Sequence, residues 1–214
     1  MPLHLVLASR SPRRRELLLS LCPGARIDVL PPPQSEERGF EGCHDWRTIE
    51  DRIGLIAREK SALVEPQWHQ QTGWQQSLLL AADTTIVVGE PRGGLGVLGQ
   101  PPDDDTWRDT VRHWFERYYL GQTHWALSAL CLVSPDGTRR ETVVRTAVTF
   151  RTVPPGLIDW YLSTGESRGK AGGYAIQGAG SVFASRIEGS LSNVVGLPLE
   201  VLQEWLAAAV RARG

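Results

Sequence analysis

The residues best suited to chemistry in this chain are three consecutive arginines, one carboxylate set inside an apolar run, and two lysines. The stretch from Leu5 to Leu21, LVLASRSPRRRELLLSL, reads as a strand, a polar turn and a helix. Ser11 suits the N-cap, and Pro12 suits the first helical position, where its φ is pre-set and its missing N–H costs nothing. A helix N-terminus carries partial positive charge and ordinarily gathers Asp or Glu, yet Arg13, Arg14 and Arg15 crowd this one. An anion is the natural partner, and a solvated basic turn with ion pairs nearby is the competing reading. At about 100° of rotation per residue, Arg14 falls over Leu17, Leu18 and Leu21 and points inward, while Arg15 points outward.

Asp83 interrupts LLLAADTTIVV, whose apolar flanks suit a strand buried on both faces. An ionised carboxylate there is costly unless it is paired, caps local N–H groups or binds a metal. The 23 basic residues include only two lysines, Lys60 and Lys170. Lysine is a compact point charge that suits a tight phosphate or carboxylate contact better than the planar guanidinium of arginine. Lys60 falls on the apolar stripe Ile49, Ile53, Ile56, Leu63, where it either snorkels to water or reaches a buried anion. Lys170 sits in ESRGKAGGYAIQGAG, whose glycines let backbone N–H groups approach a ligand, although the run matches neither the Walker pattern nor the dinucleotide fingerprint.

The elements that must position these groups follow from pattern. A strand from Ala25 to Leu30 runs into Pro31, Pro32 and Pro33, which places Glu36 and Glu37 in a loop at a strand end. A helix is predicted from Thr48 to Val64, with Pro66 to Gln76 as a surface connection. Gly89 to Gly99 reads as an extended hairpin loop. Trp107, Val111, Trp114, Phe115 and Tyr118 form the buried face of a helix that Gly121 ends, core aromatics at helical spacing and no stacking platform. His124 to Val133 and Thr142 to Phe150 form an antiparallel hairpin, with His124 as a structural histidine. A helix from about Pro155 to Ser163, a strand from Ser181 to Ile187 and a terminal helix carrying Leu199, Leu202 and Leu206 complete the chain.

Composition narrows the function classes. The chain has 214 residues, with 41% hydrophobic and 22% charged content, as expected of a soluble globular enzyme, and one domain over 1–214 is the expectation. A net charge of −1 gives no global basic field for stable nucleic-acid binding, so an anion site has to be local. Cys22, Cys43 and Cys131 are odd in number and far apart, which argues against a disulfide framework, and Cys43-His44 lacks a second ligand pair at zinc spacing. No run approaches membrane-spanning length, and a cytoplasmic location is the expectation.

In order and spacing, LASRSPRRRELL, AREKSA, AADTTIVV, LGQP, TGES with KAGGYAIQGAG, and NVVGLPL resemble the Maf family of nucleotide pyrophosphatases. The resemblance implies an α/β fold in which a long mixed sheet, flanked by helices, bends around a central cleft between two lobes, related to the inosine-triphosphatase fold. It implies hydrolysis of a nucleoside triphosphate between its α and β phosphates with Mg2+ or Mn2+, and a homodimer. Carried across, the family's basic turn falls on Ser9, Ser11, Arg13 and Arg14, its loop acid on Glu36 as a metal ligand, and its helical lysine on Lys60. Its catalytic aspartate, metal ligand and general base, falls on Asp83, followed by Thr84, and its glycine-rich loop residues fall on Lys170 and Gln177. Lys60 and Arg14 would hold phosphates. Arg13, Thr84 and Gln177 match the branch specific for dTTP and UTP and would read the base.

Three departures stand out. The family's LGKP lysine is Gln100 here, which removes one phosphate-neutralising charge while keeping a hydrogen-bond donor. The acid that precedes the glycine-rich lysine is Gly169, and the hairpin after Asp83 is long. Two rivals are a related enzyme moved to another modified or non-standard nucleotide, and a nucleotide-binding regulator of septum formation with little turnover.

Overall fold

The computed structural model describes residues 3–33 and 39–211. Glu36 and Glu37 lie outside the described residues. Among the described residues seven strands form one mixed sheet, six in the order β2-β1-β3-β5-β6-β7 and the seventh, β4, paired to β3. These are β1 (His4–Ala8), β2 (Arg26–Val29), β3 (Leu78–Gly89), β4 (Leu95–Leu98), β5 (Thr123–Val133), β6 (Arg139–Phe150) and β7 (Ala184–Glu188). The helices are α1 (Pro12–Leu21), α2 (Trp46–Gln70), α3 (Trp107–Trp114), α4 (Pro155–Ser163), α5 (Leu191–Val195) and α6 (Leu199–Arg211).

β1 runs parallel to both β2 and β3, while β3, β5 and β6 are antiparallel neighbours. The continuous apolar character of β3 follows from its covering on both faces. Leu79, Ala81 and Val87 pack with Ile49, Ile53, Ala57 and Val64 of α2. Leu78, Leu80 and Ala82 pack on the other face with Leu18 of α1 and Leu202 and Leu206 of α6. A third cluster, centred on Phe115, Tyr119, Phe150, Tyr161 and Phe183, covers the far end of the sheet. Each fully buried side chain of this kind contributes about 1.5–3 kcal/mol.

One edge of β3 is interrupted. On that side Leu78–Ala81 pair with β1 and Ile86–Gly89 pair with β4, so Ala82 to Thr85 have no strand partner there among the described residues. The other edge pairs with β5 without a break from Leu79 to Val87. At a strand rise near 3.3 Å the break is about 13 Å long.

Several pattern-based boundaries shift. α2 continues past Val64 and through Pro66 to Gln70, because Trp68 is buried and its Nε1 donates to Ser77 Oγ at 2.7 Å; packing of the ring outweighs the lost backbone bond. Gly89 to Gly99 is a short hairpin with β4, turned by Gly93 and Gly94 at φ 91° and 86°. The helix of aromatics widens into a π turn over Phe115–Tyr119, closed by Leu120 N–H donating to Phe115 O at 3.0 Å. That extra residue in the turn buries Tyr119 and leaves Tyr118 half-buried. The strand predicted at Ser181 begins at Ala184, after a 3₁₀ turn over Ala179–Phe183 that buries Phe183.

Candidate active site

Alternation along β3 sends neighbouring side chains to opposite faces, and the two most telling residues are neighbours. Asp83 faces α2, where Lys60 Nζ donates to its Oδ1 at 2.5 Å. Both side chains are largely shielded, at 13% and 14% exposure, so solvent and salt screen the pair less than they would a surface ion pair. Each partner explains the other's intrusion into an apolar surface: the carboxylate breaks the strand pattern, and the lysine breaks the helical stripe that faces it.

Thr84 faces the opposite side, toward α1. Arg14 reaches it there, with Nη2 donating to Thr84 Oγ1 at 3.0 Å, Nη1 to Ser9 Oγ at 3.1 Å and Nε to Gly196 O at 3.0 Å. Thr84 Oγ1 also lies 2.8 Å from Ser128 Oγ. Arg14 therefore ties the turn after β1, the middle of β3 and the turn before α6. The inward direction expected from its place over Leu17, Leu18 and Leu21 is the observed one, and Arg15 is exposed. Ser11 caps α1, its Oγ accepting from Arg14 N–H at 3.4 Å, and Ser9 Oγ accepts from Ser11 N–H at 3.1 Å.

A cavity of about 990 Å³ opens where β1 ends and the β3 edge is interrupted. Such a place, beyond the carboxyl end of a parallel strand where pairing changes, is the usual ligand crevice of an open α/β sheet. Ser9, Ser11, Arg13, Arg14, Lys60, Asp83, Thr84, Gln100, Lys170 and Gln177 all line it. The described residues thus bring together every candidate except Glu36. Burial lowers the Arg13 guanidinium from its ordinary range, with Glu16 and Glu166 acting in the opposite sense. Lys170 is lowered by burial and then by Arg13, while Glu166 again raises it.

Two features escaped the sequence reading. Glu166 lines the cavity and accepts from Ala179 N–H at 2.9 Å and Gly180 N–H at 3.0 Å. Asn193 is fully buried and donates from Nδ2 to Ala126 O, Val144 O and Thr146 Oγ1, fixing α5 against β5 and β6. The first had a signal, an acid beside the glycine-rich run. The second heads the NVVGLPL motif, but its acceptors lie 47 or more residues away, so the motif alone gave no sign of them.

What fold and site define together is an α/β protein with a polyanion-sized crevice, a helix N-terminus on one wall and a shielded Lys–Asp pair on another. The chain belongs to the family described as Maf-like protein, whose model matches residues 4–209. A dTTP/UTP pyrophosphatase of Anaeromyxobacter dehalogenans is 40% identical over 199 residues, spanning 92% of this chain and 89% of that one. The dTTP/UTP pyrophosphatase of Brucella abortus is 38% identical over 196 residues, spanning 92% and 86%. Among solved structures, a HAM1 protein from Coxiella burnetii aligns over 96% of this chain and 99% of that one, at 16% identity and a TM-score of 0.49.

Proposed function

We propose that this protein hydrolyses dTTP and UTP between the α and β phosphates, releasing the nucleoside monophosphate and pyrophosphate. The observation that carries the proposal is the placement of the Lys60–Asp83 pair in the same cavity as the first turn of α1. Relatives named dTTP/UTP pyrophosphatase, at 35–40% identity over most of the chain, supply the substrate class.

In this reading the triphosphate lies against the N-terminus of α1, where backbone N–H groups and Arg13 offset its charge. Arg14 holds the surrounding turns in place through Ser9, Thr84 and Gly196. Asp83 takes a proton from the attacking water as that water's oxygen bonds to the α phosphorus, and the bond to the bridging oxygen breaks toward pyrophosphate. Lys60 fixes the direction of the Asp83 carboxylate through its hydrogen bond to Oδ1. Gln177, which also lines the cavity, offers an amide that both donates and accepts, suited to the alternating acceptors and donor on the edge of thymine or uracil.

A divalent cation suits the carboxylate oxygen of Asp83. Among the described residues there is no cluster of three or more His, Cys, Asp or Glu side chains. Asp83 and Glu166 both line the cavity; both Glu166 oxygens accept backbone N–H groups, so Asp83, with Glu36 as the second proposed ligand, is the carboxylate that suits Mg2+ or Mn2+ carried in with the triphosphate. Such an ion supplies charge neutralisation at the phosphate oxygens.

The test is pyrophosphate release from dTTP, UTP and the four purine nucleotides by wild type and Asp83→Asn. Wild type should favour dTTP and UTP, and Asp83→Asn should lose about 10²–10⁴ in kcat. Wild-type turnover by Asp83→Asn would remove Asp83 from the role of base.

A further inference from the structure

The glycine-rich run offers backbone donors toward the cavity, yet the successive N–H groups of Ala179 and Gly180 are already taken. Gly165, at φ 70°, ends α4 and turns the chain so that Glu166 faces the segment it precedes. Oε1 accepts the Ala179 N–H at 2.9 Å and Oε2 the Gly180 N–H at 3.0 Å, so both carboxylate oxygens are engaged side by side. Successive N–H groups aimed at one point are the ordinary way a backbone binds an anion. Here the anion is part of the chain. Gly178 makes room for it: a Cβ at that position would lie 1.8 Å from Glu166 Oε1. Gln177, Gly178 and Lys170 also line the cavity.

We infer that Glu166 is a positioning residue that sets which way round the nucleotide lies, by occupying the anion-binding backbone of the glycine-rich segment and so leaving only the α1 wall for the polyphosphate. The inference rests on the nucleotide reading above. A free carboxylate ligand at Ala179 and Gly180 would compete with any phosphate for the same two donors and repel it at short range. The uncharged base is what remains acceptable beside Gln177. Glu166 also offsets Arg13 and Lys170, the two cations nearest it on the cavity wall.

Removing the carboxylate should therefore create a second, wrong place for the phosphates. Glu166→Ala vacates it, and Glu166→Gln keeps its shape while removing its charge; the latter is the variant read if the former does not fold, with thermal melting as the check. Inorganic triphosphate, measured by calorimetry, should bind both variants about tenfold more tightly than wild type. With dTTP, kcat and KM should fall together by a similar factor while kcat/KM stays near the wild-type value, the signature of a non-productive bound orientation. A purely structural Glu166 would give the opposite pattern: triphosphate affinity unchanged or weaker, with kcat/KM reduced. That result in a folded variant overturns the inference. Failure of the nucleotide reading is separate, since it would show as wild type releasing no pyrophosphate from dTTP or UTP, whereas triphosphate binding reads Glu166 without turnover.

Discussion

At the scale of single residues, His124 shows how far the site depends on groups that never meet a ligand. It is fully buried, and its Nε2 lies 2.9 Å from the hydroxyl of Tyr174, a residue that lines the cavity. Tyr119 and Phe150 enclose the ring at centroid distances of 4.3 and 4.8 Å. Burial pushes its pKa down to about 3, far below the ordinary 6.5, so the folded protein holds it neutral where the unfolded chain would protonate it. Its stabilising contribution is complete above pH 6.5 and is lost as pH falls toward 3, because the unfolded state then binds the extra proton. Urea unfolding across this range should show His124→Phe with a shallower decline than wild type, by about 1.4 kcal/mol per pH unit. A parallel pair of curves would mean that the ring is protonated in place. The assignment of His124 as structural was legible from its position at a strand start, but its aromatic cage was not.

At the scale of elements, the glycine-rich segment is positioned by packing behind it as much as by its own sequence. Gly172 has φ 69°, and a Cβ there would come within 2.5 Å of Ile86 Cγ1 and 2.6 Å of the Tyr119 hydroxyl. Tyr119 in turn donates to Gly172 O at 2.9 Å, and Tyr161 donates to Gly173 O at 3.4 Å. Gly172→Ala combines an unfavourable φ with overpacking against buried side chains, and should cost about 2–4 kcal/mol in urea unfolding. It should also weaken nucleotide turnover more than a surface substitution of equal stability cost. The periodicity of α3 pointed to Tyr118 where the structure buries Tyr119, because a π turn is a backbone choice made by tertiary packing and leaves no mark on residue types. The existence of β3, α1 and the β5–β6 hairpin was legible, since long apolar runs, caps and turn residues agree on each. The division of β3 between two partners along one edge was not, because pairing is non-local.

At the scale of the whole molecule, charge is sorted more than it is accumulated. The chain carries a net −1, yet among the described residues the cavity wall holds Arg10, Arg13, Arg14, Lys60 and Lys170 against Asp83 and Glu166. A local positive field of this kind draws in polyanions and is screened by salt. For a triphosphate substrate, kcat/KM should fall about tenfold as salt rises from about 0.05 to about 0.5 M, mostly through KM. An uncharged nucleoside should show no such dependence in binding. The Lys60–Asp83 pair could be anticipated because each residue breaks an apolar pattern. The Arg14 network could not, since the turn before α6 gives no sign of what its carbonyls receive.

That network has a consequence for the order in which the protein comes into being. Arg14 and the Gly196 carbonyl it binds are 182 residues apart, and β1 waits for β3 before it has both of its neighbours. During synthesis the basic turn therefore emerges well before the segment that completes it, which closes over it once the turn before α6 has left the ribosome. A nascent chain can hold helix α1 and even the β3–β5–β6 spine without yet possessing the crevice. The fully tied basic turn is in this sense a late event, reached when Arg14 meets the Gly196 carbonyl.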